Sequence, residues 1–253
     1  MGRLQDKVAV ITGGNSGVGA AAAELFAKEG AKVVISARRE NKLEEVAAKI
    51  KEAGGEVYTV ACDISKVGDA ENLVNKTLEK YGRIDVFVNN AGILEEGLKP
   101  IDKMTNEDLD RVIDTNEKGT MYCMRAACRA MEEKGGSIVN VASSAGIIGN
   151  GGAAYVASKS AILGITTHTA LRYAGKGIRC NAVCPGSIAT PMLAGSSAEN
   201  QDKDMFSQLV KHSDLKVGIS MPQDVANIIL FLASDESRSM TGQKLVCDFG
   251  AAL

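Results

Sequence analysis

One arrangement recurs along the chain: a short, almost unbroken apolar run, then a longer stretch where apolar and charged positions follow helical spacing. The apolar runs are "KVAVIT" (7–12), "KVVIS" (32–36), "EVYTVAC" (56–62), "IDVFVNN" (84–90), "SIVNVAS" (137–143), "IRCNAVC" (178–184) and "QKLVCDF" (243–249). Their β-branched residues predict strands, and their near-continuous apolar character predicts strands covered on both faces, as in a parallel sheet. Between them, "VGAAAAELFAKEG", "NKLEEVAAKIKEAGG" and "DAENLVNKTLEKYG" read as helices, each closing on a glycine able to form a left-handed cap. Strand–helix alternation at this spacing predicts right-handed βαβ units and a doubly wound α/β fold.

The rhythm breaks from Ser187 to about Met221, a stretch rich in Gly, Ser, Asn and charge with Met192, Met205, Phe206 and Met221 interspersed. A long irregular insertion after a strand is either a lid over a binding site or a disordered excursion, and the lid is the favoured reading of 187–221.

A chain of 253 residues accommodates one large α/β domain or two small ones. Its formal net charge of -2 supplies no basic field, which argues against a nucleic-acid partner. No run approaches the ~20 apolar residues of a membrane span, and the N-terminal stretch lacks a signal-peptide cleavage pattern. A cytoplasmic location with no membrane partner is expected. The six cysteines are scattered with no CxxC pair, and there are two histidines, so no metal site is expected and the thiols read as reduced and mostly buried.

"TGGNSGVG" (12–19) directly follows the first apolar run and opens the first helix. Glycine permits a tight strand-to-helix turn and lets the backbone approach a pyrophosphate, while the helix N-terminus offers unpaired N–H groups and partial positive charge. Gly13, Asn15, Ser16, Gly17, Val18 and Gly19 are therefore candidate cofactor contacts. At the end of the second run, "VVISARRE" puts Ala37 where an acid would hold an unphosphorylated ribose, followed by Arg38 and Arg39. A guanidinium can bind a 2′-phosphate in a forked geometry. Arg38 thus favours NADP(H), with NAD(H) as the alternative. Both arginines also fit a solvated helix start.

Taken with "NNAG" (89–92), "DTNEKG" around Asn116, "SSAG" (143–146), "YVASK" (155–159) and "NAVCPGSIATPM" (181–192), the chain resembles the classical short-chain dehydrogenase/reductases along essentially its whole length. That resemblance implies one Rossmann-like domain with a seven-stranded parallel sheet, matching the seven runs above. It also implies that Asp63 and Ile64 hold the adenine, and that Asn89, Ala91 and Gly92 shape the cofactor cleft. Pro185 and Gly186 would pass the nicotinamide, with Ile188 and Thr190 binding its carboxamide. Ser143, three residues before Gly146, would be the catalytic serine, with Ser144 as competitor. Homotetramers are common in the family. Two departures stand out: Phe249 replaces the second glycine of the family's C-terminal "DGG", leaving the local path of the C-terminus open, and Ala142 replaces a serine.

Tyr155 and Lys159 stand four residues apart, on one helical face. A phenol with pKa near ~10 is a poor base at neutral pH, and a nearby ammonium lowers that value toward the working range. Tyr155 would donate a proton to a carbonyl oxygen as hydride arrives, and Ser143 would stabilise the developing charge. Lys159 would tune the phenol and hold the nicotinamide ribose. Asn116, by the resemblance, would anchor a water linking Lys159 to solvent. The expected activity is hydride transfer between NADP(H) and a secondary alcohol or ketone. The apolar set Met192, Leu193, Met205, Phe206 and Leu209 suggests a hydroxysteroid or other cyclic alcohol. The alternatives are 3-oxoacyl-carrier-protein reduction and a non-catalytic dinucleotide sensor. Glu95 and Glu96 read as a solvated loop, with a place on the substrate rim as the other reading.

Overall fold

In the computed structural model, residues 2–194, 201–214, 216–251 and 253 are described. The first half of the chain lays down β1 (Val8–Thr12), α1 (Gly17–Lys28), β2 (Lys32–Ala37), α2 (Glu40–Glu52), β3 (Glu56–Ala61), α3 (Val67–Tyr81) and β4 (Val86–Asn89). The second half continues with α4 (Asn106–Val112), which passes through a π-helical stretch, Ile113–Gly119, into α5 (Thr120–Met131). Then come β5 (Gly136–Val141), α6 (Ala145–Ile148), α7 (Ala153–Arg172), β6 (Ile178–Pro185), α8 (Pro191–Ala194), α9 (Lys203–His212), α10 (Pro222–Ala233) and β7 (Lys244–Cys247). All seven predicted strands form, with ends shifted by a residue or two.

They make one parallel sheet in the order β3-β2-β1-β4-β5-β6-β7. Because successive side chains on a strand point to opposite faces, each central strand feeds two cores. Ala9, Ile11, Val33, Ile35, Val86 and Val88 pack with Phe26 of α1, Ile50 of α2 and Ile229 of α10. Val10, Val34, Phe87 and Ile138 pack with Leu73 of α3 and with Cys123, Met124 and Met131 of α5. Fully burying one such side chain contributes about 1.5–3 kcal/mol, and a one-residue slip would turn every one of them to the wrong face. The register is thereby set.

Coverage on both faces holds at the centre of the sheet and fails at its edges. Along β7, Lys244 and Val246 are exposed. An edge strand has a neighbour on one side only, and its exposed lysine discourages further pairing. Each of the three predicted glycine caps has positive φ, at Gly30 (86°), Gly54 (81°) and Gly82 (71°). Five of the six cysteines are buried, and all six are unpaired.

The segment after β6 departs from the irregular loop expected of it. Asp202 accepts from the Met205 amide at 2.8 Å, and that side-chain cap starts the ten-residue α9. Asp202 also bonds Lys103 (2.7 Å), and its own amide donates to the Gly97 carbonyl (2.8 Å), tying α9 to the loop after β4. Residues 195–200 and 215 of this segment lie outside the described residues. At the C-terminus, Phe249 keeps the path a glycine would take, with φ 57° and a largely exposed ring. Among the described residues, no helix is long and apolar enough to cross a membrane.

Candidate active site

The chain runs outward from β1 to β3 on one side, then crosses to build β4 to β7 on the other. A crevice opens at that reversal, beyond the carboxyl ends of β1 and β4, where open α/β sheets take ligands. A cavity of about 670 Å³ occupies it, within the usual range for small-molecule and cofactor sites.

Its outer end is mostly backbone. Gly17 opens α1 at φ 53°, where a side chain would be strained. Preceding it, Ser16 makes no side-chain cap bond, so the first amides of α1 remain available to an anion. Gly19 sits one turn into the helix, where a Cβ would overlap the Gly13 carbonyl oxygen. Across the mouth stand Arg38 and Arg39, both exposed. With its amide oxygen toward the guanidinium, Asn15 accepts from Arg39 Nη2 at 3.0 Å and Nε at 3.3 Å. A pyrophosphate on the α1 amides with a charged ribose near the arginines fits this glycine cradle. Asp63 turns its carboxylate onto Ser65, accepting from its amide (3.2 Å) and hydroxyl (2.7 Å).

Toward the inner end, Ala91, Gly92, Ser143, Tyr155, Lys159, Pro185, Gly186, Ile188 and Thr190 line the cavity, with Ile93, Leu94 and Met192 forming apolar wall. Gly13, Asn15, Ser16, Gly17, Val18, Arg38, Asp63 and Ile64 line its outer part. Three candidates do not line it. Gly19 stands behind the loop that it allows to close. Asn89 lies within the sheet, its Nδ2 donating to Asn140 Oδ1 at 2.8 Å, because β4 turns that side chain away from the cavity. Asn116 sits in the π-helical stretch behind Gly92, its Oδ1 accepting from the Ile93 amide (2.8 Å) and its Nδ2 donating to the Ile93 carbonyl (2.9 Å) and Ser158 Oγ (3.1 Å). Of the apolar set from the segment after β6, Met192 reaches the cavity, whereas Met205, Phe206 and Leu209 are not among its lining.

Ser143, just beyond the end of β5, lines the cavity, while its competitor Ser144 does not. Ser143 Oγ accepts from the Ala145 amide at 3.2 Å. Lys159 is buried, and its Nζ donates to the Val141 carbonyl at 2.9 Å, 5.5 Å from the centre of the Tyr155 ring. The ionisation of this pair departs from expectation. Burial pushes the Tyr155 phenol up to about 12; its contact with Ser143 works the other way, and the charge of Glu95 adds to the rise. Burial also brings the Lys159 ammonium down to about 8. At both groups desolvation is the largest influence.

Two positions, Thr12 and Asn90, carried no role in the sequence reading. Thr12 Oγ1 accepts from the Asn90 and Ala91 amides, both at 3.1 Å, and Asn90 Nδ2 donates to the Thr12 carbonyl at 3.0 Å. These bonds join the ends of β1 and β4 under the cavity. Glu95, read as a solvated loop residue with the substrate rim as the other reading, is 6% exposed and lines the inner end, its Oε2 accepting from the Tyr155 amide at 2.7 Å. The one available signal was the missing side-chain cap at Gly152, which left the start of α7 in need of an acceptor from elsewhere.

With this sheet order and this cavity, the chain belongs to the short-chain dehydrogenase/reductase family, NAD(P)-dependent oxidoreductases acting on CH–OH groups. A family model described as enoyl-(acyl carrier protein) reductase matches residues 13–252. Over 99% of its length the chain is 40% identical to a 3β-hydroxysteroid dehydrogenase of Mediterraneibacter gnavus, covering 96% of that protein. It is 39% identical to a 3-oxoacyl-(acyl-carrier-protein) reductase of Thermotoga maritima, covering 99% of this chain and all of that one. The crystal structure of levodione reductase matches with a TM-score of 0.90 and 33% identity over 98% of both chains.

Proposed function

We propose that the protein interconverts a secondary alcohol and its ketone on a hydroxysteroid or similar cyclic skeleton, using NADP(H). The observation that carries this reading is the meeting of Ser143, Tyr155 and Lys159 at the inner end of a cavity whose outer end is a glycine-turned helix start. NADP(H) supplies the hydride or accepts it. Tyr155 gives a proton to the carbonyl oxygen during reduction and takes it from the alcohol during oxidation. Ser143 hydrogen-bonds the same oxygen. Lys159 would hold the nicotinamide ribose hydroxyls, and its charge favours the phenolate form of Tyr155. Asn116 holds the turn behind Gly92 and keeps a water path to Lys159 open. Asn89 contributes through the backbone of the β4 turn, since its side chain is engaged with Asn140.

Arg38 is the contact assigned to the 2′-phosphate. Arg39, engaged by Asn15, closes the same rim. The cyclic substrate is supported by the apolar wall of Ile93, Leu94 and Met192 and by the hydroxysteroid dehydrogenase at 40% identity. In this reading 187–221 acts as the lid, and the enzyme is a cytoplasmic homotetramer, the assembly common in the family.

A second reading, reduction of a 3-oxoacyl group on a carrier protein, is favoured by the Thermotoga maritima relative. An acidic carrier needs a basic approach, and the exposed charges at this end of the cavity are mixed, Glu96 with Arg111. A screen of NADPH and NADH against steroids, cyclic ketones and 3-oxoacyl thioesters separates the two. Turnover confined to the thioesters overturns the cyclic-alcohol reading, and silence throughout overturns both.

A further inference from the structure

Helix α7 begins at Gly152, whose φ of -74° and ψ of 156° are those of an N-cap residue, yet it has no side chain to cap with. The loop after β4 does the capping, with Glu95 standing 60 residues upstream of Tyr155. The Lys99 carbonyl accepts from the Ala153 amide at 3.0 Å, and Glu95 Oε2 accepts from the amide of Tyr155 itself at 2.7 Å. A Cβ at position 152 would meet Glu95 Oε1, Cδ and Cγ before anything else, Oε1 by overlap. The glycine and the glutamate are thus one device, in which the remote carboxylate fills the space of the absent cap. Its loop is pinned in turn: Arg111 Nη2 donates to the Leu94 carbonyl at 3.2 Å, and Lys99 Nζ pairs with Asp108 at 2.5 Å.

We propose that Glu95 is a positioning residue for Tyr155, its carboxylate capping α7 at the tyrosine's own amide and thereby fixing where the phenol stands in the cavity. The proposal rests on the reading of Tyr155 as the proton carrier. A carboxylate at the positive end of a twenty-residue helix also gains from the helix dipole. Its charge acts on the chemistry as well, since Glu95 raises the phenol by like-charge repulsion. The groups facing Glu95 are Tyr155 from α7 and Asp108 and Arg111 from α4. Burial raises its own carboxyl, the Tyr155 amide lowers it, Asp108 raises it and Arg111 lowers it.

Three variants of the intact protein test this. Glu95→Ala should lower kcat on the order of 10- to 100-fold with cofactor affinity retained, since a small misplacement of a reacting group is costly. Adding Gly152→Asp to Glu95→Ala installs a local cap in the vacated space and should restore most of the loss. Glu95→Gln keeps an acceptor oxygen but removes the charge; kcat should stay near wild type while the Tyr155 limb of the alcohol-oxidation pH profile moves to lower pH. Hydrogen exchange at the Tyr155 amide should speed up in Glu95→Ala and slow again in the double variant, whatever the activity. A Glu95→Ala variant with unchanged kcat and unchanged amide exchange overturns the proposal, as does a folded, cofactor-binding double variant that recovers neither. Tyr155→Phe in the same assay separates the two ideas. Retained turnover there removes the proton-carrier role, whereas the exchange data judge the cap alone.

Discussion

At the outer end of the cavity, where β1 and β2 finish, most of the lining comes from two short stretches, 13–18 and 36–39, and depends on backbone shape. At the inner end, Glu95, Ser143 and the Tyr155–Lys159 pair arrive from three stretches of chain and depend on side-chain charge, with Glu95, Ser143 and Lys159 buried. The outer end stays exposed, with Arg38 and Arg39 standing in solvent. The inner end is largely shut off, so burial moves Tyr155 up to about 12 and Lys159 down to about 8. A binding surface can be written locally, whereas a group whose proton affinity matters is tuned by whatever the fold brings around it.

The largest expected effect of a single change lies at the inner end. Tyr155→Phe keeps the ring and removes the proton, so kcat should fall by about 10²–10⁴-fold while cofactor affinity, read by fluorescence titration, stays near wild type. Retained turnover would refute the assigned role.

At the outer end, Ala37→Asp with Arg38→Leu removes a charged donor and adds a repelling carboxylate. The NADPH/NADH ratio of kcat/KM should drop by about 10–100-fold, the worth of one or two charge-assisted hydrogen bonds. A ratio that stays put would make Arg38 a rim residue only.

Lys159 offers a third contrast, read in the ligand-free chain. Its folded value of about 8 lies below its ordinary 10.5, so between those values the unfolded chain holds the extra proton. Stability from this group therefore rises with pH across that window, by on the order of 3 kcal/mol in all. Burial of thiols such as Cys62 and Cys247 works the other way above pH 9, because their folded values are raised. Lys159→Met shares those thiols, so they cancel in the difference. The stability advantage of the methionine variant should be largest below pH 8 and fade toward pH 10.5 in urea titrations. A difference that is flat with pH would mean that the ammonium is not desolvated.

The smallest effect falls outside both ends. Phe249 holds a left-handed conformation, at a cost of about 1–3 kcal/mol for a residue with a Cβ. Phe249→Gly should raise the melting temperature by a few degrees; a drop would mean that the exposed ring has a packing partner.

Much of this fold was legible before any coordinates. The seven apolar runs became strands because a strand buried on both faces needs an unbroken apolar stretch, and the helices stopped at glycines because φ becomes positive there. The helix α9 was missed, since its start depends on Asp202 capping Met205 inside a stretch whose composition resembles a loop. At the cavity, candidate residues in the glycine loop and around Tyr155 were legible from motif spacing. The side chain of Asn89 stays in the sheet because neighbouring residues at a strand end point to opposite sides, and here Asn90 lines the cavity.

By itself, then, the order of residues determined which segments pair, which faces they bury and where the backbone turns tightly enough to admit an anion. These are consequences of short-range sterics and apolar periodicity, and they act within a few residues. Tertiary structure alone decided that Glu95 would meet the amide of Tyr155, that Lys159 would lose its water, and that the phenol would be harder to ionise. Desolvation and remote capping depend on what lies across space, and nothing in a local stretch of chain carries that information.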